Sequence, residues 1–103
     1  MILMDTNVLI YALANKEPYV SWFKKELRRK NLAISVIGVA EFLSGAMDSE
    51  ARALEILLDK MTVVGINLEI AREAADYRKK YLRLKRKVLL PDCLIAACCK
   101  VYE

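Results

Sequence analysis

Met1-Ile2-Leu3-Met4-Asp5-Thr6-Asn7-Val8-Leu9-Ile10 decides the fold. A short apolar run stops at a polar corner, and a second apolar run follows at helical spacing. The first run reads as a buried strand, Ile2 to Met4, ending at Asp5-Thr6-Asn7. Val8 to Leu13 then reads as a helix. The same grammar recurs downstream. Leu32-Ala33-Ile34 is a second short strand. It is followed by Ser35 as the cap of a helix whose apolar residues include Val36, Val39, Ala40, Leu43 and Met47. Met61 to Ile66, rich in β-branched residues, is a third strand. Asn67 caps a long helix with Leu68, Ala71, Ala75 and Leu82 among its inner positions. Between these lie an amphipathic helix after Pro18, with Trp22, Phe23 and Leu27 inward, and a helix capped by Ser49 with Leu54, Leu57 and Leu58 buried. Pro91 opens a last helix, Asp92 to about Tyr102. Strands alternating with helices make an α/β fold with a short parallel sheet flanked by helices. In such a sheet the working crevice lies outside the carboxyl ends of the strands.

Three acids stand out against this pattern. Asp5 is the only charged residue from Met1 to Asn15, Glu41 from Asn31 to Met47, and Asp92 from Val88 to Cys99. An apolar stretch is expected to face the core, where a lone carboxylate is costly unless compensated. Asp5 sits at a strand end, Glu41 two turns into the helix after the second strand, and Asp92 at the opening of the last helix. All three are expected at one crevice. At about 5 Å and an effective dielectric near 20, each pair of carboxylates would repel by about 3 kcal/mol. Either a proton or a cation must relieve that repulsion. Mg²⁺ or Mn²⁺ would do so, and a metal-bound water can attack phosphorus. Taken singly, Asp5 also fits an Asx turn and Asp92 an ordinary first-turn helix acid.

Composition narrows the chemistry. The chain has 103 residues, 56% of them hydrophobic, and a formal net charge of +4. One domain, 1–103, with a modest core is expected. There is no histidine, which removes Ser-His-Asp and Cys-His nucleophilic catalysis and His-based cleavage of RNA. The three cysteines fit neither a disulfide framework nor a common zinc spacing, and read as buried, reduced hydrophobes of a cytoplasmic protein. No run is long enough for a membrane span.

Five of the 17 Lys and Arg residues are Lys24, Lys25, Arg28, Arg29 and Lys30. Seven more are Arg78, Lys79, Lys80, Arg83, Lys85, Arg86 and Lys87. The first group reads as a solvated helix face with cations near a helix C-terminus. The second exceeds what helix-end electrostatics needs and is a candidate track for RNA phosphates. Tyr77 and Tyr81 have rings that could stack on bases, but core packing is their expected role.

Three blocks carry a resemblance. Residues 1–10, residues 34–45 (Ile-Ser-Val-Ile-Gly-Val-Ala-Glu-Phe-Leu-Ser-Gly) and residues 90–97 (Leu-Pro-Asp-Cys-Leu-Ile-Ala-Ala) resemble, in order, the acidic blocks of PIN-domain proteins, especially the VapC-type toxins. The resemblance implies a PIN-like three-layer α/β fold and a metal-dependent endoribonuclease, often paired with a small antitoxin and often a homodimer. Asp5, Glu41 and Asp92 would be its acidic Mg²⁺ or Mn²⁺ site, with Asn7 and Ser35 positioning water or phosphate. Family members usually continue into another strand and a loop with a fourth acidic or amide residue. The sequence ends at Lys100-Val101-Tyr102-Glu103, ahead of that strand. A C-terminally truncated fold with an exposed sheet edge is therefore expected. The competing reading is a catalytically impaired PIN-like module that keeps its dimer or antitoxin interface. A carboxylate-dependent phosphatase fits less well, because the Asp5-Thr6-Asn7 corner lacks a second acid to donate a proton.

Overall fold

The computed structural model describes residues 1–102. The chain divides into two compact units, Met1–Val64 and Gly65–Glu103. The first is mixed α/β, with order β1 (Ile2–Leu3), α1 (Thr6–Leu13), α2 (Tyr19–Arg28), β2 (Leu32–Ser35), α3 (Val36–Gly45), α4 (Asp48–Leu58) and β3 (Thr62–Val64). The second is a helix pair, α5 (Leu68–Arg83) and α6 (Leu90–Val101).

The sheet has order β1-β2-β3 and both pairings are parallel. Ile2 pairs with Leu32 and Leu3 with Ala33; Ala33, Ile34 and Ser35 pair with Thr62, Val63 and Val64. All four residues of central β2 are buried, as a parallel strand covered on both faces requires. β1 and β3 are shorter than the apolar runs that produce them. Met4 and Met61 lie just outside the strands yet are buried. The core of this unit gathers Met4, Leu9, Phe23, Leu32, Ile34, Phe42, Leu54 and Met61. Trp22, Leu27, Leu57 and Leu58 are only partly buried against it.

Caps explain where the helices begin. Ser35 Oγ accepts from the Gly38 N–H at 3.0 Å and starts α3, and Asn67 Oδ1 accepts from the Ile70 N–H at 2.9 Å and starts α5. Helix α4 begins two residues earlier than a Ser49 cap would place it. Met47 is the cap residue, and Glu50 Oε1 reaches back to accept from the Met47 N–H at 2.9 Å. Asp48 and Glu50 in the first turn add a favourable interaction with the helix dipole.

One charged side chain is nearly enclosed. Glu26 is buried on α2, where its carboxylate accepts from Asn31 Nδ2 at 3.1 Å and pairs with Arg29 at 3.5 Å. Those bonds offset its desolvation.

In the second unit, α5 turns a different stripe inward from the expected one. Ile70 and Ala74 are buried and Tyr77 and Tyr81 half-buried, while Leu68, Ala71, Ala75 and Leu82 are exposed. Both stripes have helical spacing. The one with an isoleucine and two aromatic rings removes more apolar surface from water. Against it α6 sets the small side chains Cys93, Ala97 and Cys98. Lys100 Nζ on α6 donates to Glu73 Oε2 on α5 at 3.1 Å, which raises the lysine pKa. Cys93 and Cys98 are buried, as expected, and burial pushes the Cys98 thiol pKa up; Cys99 is exposed, contrary to the expectation. No helix among the described residues is long and apolar enough to cross a membrane.

The two caps make a prediction. Ser35→Ala and Asn67→Ala should each lower unfolding stability in urea by about 1 kcal/mol. Midpoints equal to that of the unchanged protein would show that these caps do not hold their helices.

Candidate functional site

Two helices of the first unit start at the same edge of the sheet. Asp5 follows β1 and caps α1, its Oδ1 accepting from the Asn7 N–H at 3.2 Å. The Met4 N–H donates to the Ala33 carbonyl at 2.8 Å, extending the β1–β2 pairing to the last residue before Asp5. Leu3 pairs with Ala33, so Asp5 and Ser35 stand two residues further along, at matching positions on neighbouring parallel strands. Such strands lie about 4.8 Å apart. The carboxyl edge therefore presents two helix N-termini side by side, each with its cap.

Gly38 brings these helices close. A methyl group added there would stand 3.1 Å from Ile34 Cγ1 and 3.5 Å from Thr6 Oγ1, so the α3 backbone lies against the first residue of α1. Thr6 Oγ1 is buried and has no hydrogen-bond partner. An orphaned hydroxyl beside an exposed carboxylate calls for a water, an ion or a substrate oxygen. Glu41 lies three residues beyond Gly38, about one turn further along α3, and is exposed. Nothing in the spacing of the sequence singled out Thr6; the only signal was its place inside the polar corner.

All three acids are exposed, as is Asn7, whereas Ser35 is buried. The burial cost expected of the lone carboxylates is therefore not incurred. Their stretches are apolar because other positions go inward: Leu9 and Ala12 on α1, Gly38 and Phe42 on α3, Cys93 and Ala97 on α6. Helical periodicity turns each acid outward. Asp92 belongs to the second unit, in the first turn of α6 behind Pro91. Neither Glu41 nor Asp92 makes a hydrogen bond or ion pair with another described residue. Among the described residues, no three His, Cys, Asp or Glu side chains form a group that could hold a metal ion. The donor type, exposed carboxylate oxygen with no cationic partner, is nonetheless the one hard divalent cations take. The orphaned Thr6 hydroxyl adds a further oxygen beside Asp5.

The clustered basic residues fall in two exposed groups. Lys25 and Arg28 sit in the last turn of α2, at the negative end of its dipole, and Arg29 is engaged with Glu26. Arg78, Lys79, Lys80, Arg83, Lys85, Arg86 and Lys87 are all exposed. They run from the second half of α5 into the segment before α6.

Substitutions at Asp5 separate its two roles. Asn caps a helix as well as Asp does, so Asp5→Asn should leave stability within a few tenths of a kcal/mol, whereas Asp5→Ala should lose about 1 kcal/mol. Equal losses in urea titrations would show that Asp5 holds α1 by charge rather than by its hydrogen bond.

Comparison with known proteins places this geometry. The PIN-domain family model matches residues 2–103. Ribonuclease VapC10 from two Mycobacterium tuberculosis strains (CDC 1551 / Oshkosh and ATCC 25618 / H37Rv) is 35% identical over 103 residues, all of this chain and 77% of the relative. Among solved structures, a toxin-antitoxin complex from Klebsiella pneumoniae contains a similar chain. Its TM-score is 0.78 at 26% identity, over 99% of this chain and 80% of that one. VapBC2 from Rickettsia felis, bound to a DNA fragment from its promoter, shares the fold. Its TM-score is 0.76 at 20% identity, over 92% of this chain and 76% of that one.

Proposed function

The chain belongs to the PIN-domain family, and on that premise we propose that it is a metal-dependent endoribonuclease, a VapC-type toxin paired with a small antitoxin. The observation that carries the reading is the carboxyl edge of the sheet. Asp5 and Ser35 cap adjacent helices there, and the buried Thr6 hydroxyl lies against Gly38 of α3 without a hydrogen-bond partner. The 35% identity to Ribonuclease VapC10 along the whole chain supports RNA as the substrate. The likeness to a chain of a toxin-antitoxin complex supports an antitoxin partner.

Asp5, Glu41 and Asp92 would hold Mg²⁺ or Mn²⁺. Such an ion supplies Lewis-acid charge at a phosphoryl oxygen and a water acidic enough to attack at neutral pH. The chain's own groups do the rest. The cap bond to Asn7 fixes one oxygen of Asp5, and the other makes no hydrogen bond with a described residue. The N-termini of α1 and α3 offer partial positive charge to a phosphate. Thr6 Oγ1 and the Asn7 side-chain amide are donors for a phosphate oxygen or a bound water. Ser35 supports them by holding α3 in place. Glu41 accepts a proton from the attacking water at a carboxylate oxygen, the role open to carboxylates in a chain without histidine. Arg78, Lys79, Arg83, Lys85, Arg86 and Lys87 bind backbone phosphates, which makes RNA affinity salt-dependent. The working form is a cytoplasmic homodimer. An exposed apolar row on α3 and just beyond it, Val36, Leu43 and Met47, supports contact with another chain.

Purified protein incubated with RNA and Mn²⁺ should cleave it. The Asp5→Asn, Asp92→Asn double variant should lose activity by at least about 100-fold, the scale on which loss of catalytic groups is read. Equal cleavage by both, or by neither, would overturn the assignment. Calorimetry with Mn²⁺ should show binding that the double variant abolishes. Binding by the wild type without cleavage would instead describe the impaired module.

A further inference from the structure

The second unit holds a cavity of which the proposed chemistry uses only Asp92. It measures about 450 Å³ and is lined by Tyr77, Tyr81, Val88, Asp92, Cys93 and Ala96. Glu73 meets Lys100 by a hydrogen bond, and further along α5 the two tyrosines share the cavity with Ala96, Cys93 and Asp92 of α6. The order of these pairings makes the helices antiparallel. The cavity exists because side chains of unequal size face one another. Two rings on α5, at i and i+4, hold space open, and Ala96 and Cys93 are too small to fill it. Its volume lies within the range of about 300–1,000 Å³ typical of ligand sites.

We propose that this cavity receives an unpaired nucleobase of the RNA strand, stacked on Tyr77 and Tyr81, with the adjoining phosphates on the basic residues 78–87. The inference rests on the ribonuclease reading and adds to it a subsite for the base beside the acid.

Three observations select this occupant. The two tyrosines are half-buried and both line the cavity, so part of each remains open to it. Asp92 stands at the rim as an exposed carboxylate. A purely apolar occupant such as a peptide side chain or an acyl chain would desolvate that carboxylate without a donor in return. A base edge carries N–H donors that satisfy it. Finally, the wall residues Tyr77 and Tyr81 are interleaved with Arg78, Lys79, Lys80 and Arg83, with Lys85, Arg86 and Lys87 leading towards Val88. Aromatic faces set among cations are the combination that holds single-stranded nucleic acid. Because Asp92 is also a proposed metal ligand, a base seated here leaves its own phosphate next to the acid.

The test is a fluorescence titration of the full chain with a short single-stranded RNA carrying 2-aminopurine. EDTA is present so that neither metal nor cleavage contributes. The wild type should bind and quench the probe. Tyr77→Leu and Tyr81→Leu should each weaken binding about tenfold or more and lose the quench, whereas Tyr77→Phe and Tyr81→Phe should retain both. Ala96→Phe, at an exposed position, should plug the cavity and weaken binding similarly without unfolding the chain, as checked by circular dichroism. It therefore decides the matter even where a Leu variant fails to fold. Wild-type binding without quenching, or an Ala96→Phe variant that binds and quenches like the wild type, would overturn the proposal. So would a sedimentation shift caused by Ala96→Phe with RNA binding unchanged, which would assign the cavity to contact between copies. Quenching that disappears in Ala96→Phe, in a protein that cleaves no RNA with Mn²⁺, keeps the base subsite and removes the nuclease. Cleavage with no effect of Ala96→Phe on binding removes the subsite and keeps the nuclease.

Discussion

The parallel pairing of β1 with β2 is the constraint on which the first unit depends. It is only two residue pairs long, Ile2 with Leu32 and Leu3 with Ala33, extended by the bond from the Met4 N–H to the Ala33 carbonyl. That register sets Asp5 and Ser35 level with each other. Slipping β1 by one residue would turn its side chains to the opposite faces and move Asp5 out of line with Ser35. Burial of β2 along its whole length resists such a slip, because Leu32, Ala33, Ile34 and Ser35 are all enclosed and β2 has a neighbour on each side.

From this register follows an economy in the use of polar side chains. Asp5 and Ser35 each end a strand, start a helix and stand at the candidate site. A capping hydrogen bond fixes a side-chain oxygen more tightly than an exposed rotamer would. Positions chosen for local structure are therefore already organised for chemistry. Thr6 is the counter-example. Its buried hydroxyl has no hydrogen-bond partner among the described residues and so serves no local structure. It is the polar group at this edge that is left for a water or ligand oxygen to satisfy.

How much of this was legible in the sequence depends on the range of the interaction involved. Short-range chemistry was readable: the Ser35 and Asn67 caps and Pro91 opening α6 rest on interactions within four residues, and the strand ending before Asp5 was marked by the polar corner that follows it. The Ser49 cap failed because Glu50 reaches back to Met47 and starts the helix earlier. The inner face of α5 failed for a tertiary reason. Leu68, Ala71, Ala75 and Leu82 have the same helical spacing as Ile70, Ala74, Tyr77 and Tyr81, and only packing against α6 decides between them. The acids were found by their isolation in apolar stretches, but the inference that they are buried was wrong. Composition averages over a helix, and one exposed position in an inward-facing helix leaves the average apolar. The burial of Glu26 was invisible for the converse reason: it sits in a charged stretch and is enclosed by Asn31 and Arg29.

The second unit separates two properties that a nucleic-acid enzyme must combine. Contacts to phosphates give affinity and orientation but carry no information about the bases. The exposed run from Arg78 to Lys87 is of this kind, and alone it would hold any polyanion. Selection needs a contact that only some strands can make. A cavity walled by two tyrosine rings excludes a base still stacked in a duplex, because the ring face it offers is available only to a base that has left its own stack. Asp92 of α6 lines the same cavity as the two rings of α5, so the proposed reacting group and the proposed discriminating surface share one cavity. On the proposed reading that adjacency would link recognition to chemistry: a strand whose base does not fit the cavity would be held by its phosphates but not presented at Asp92.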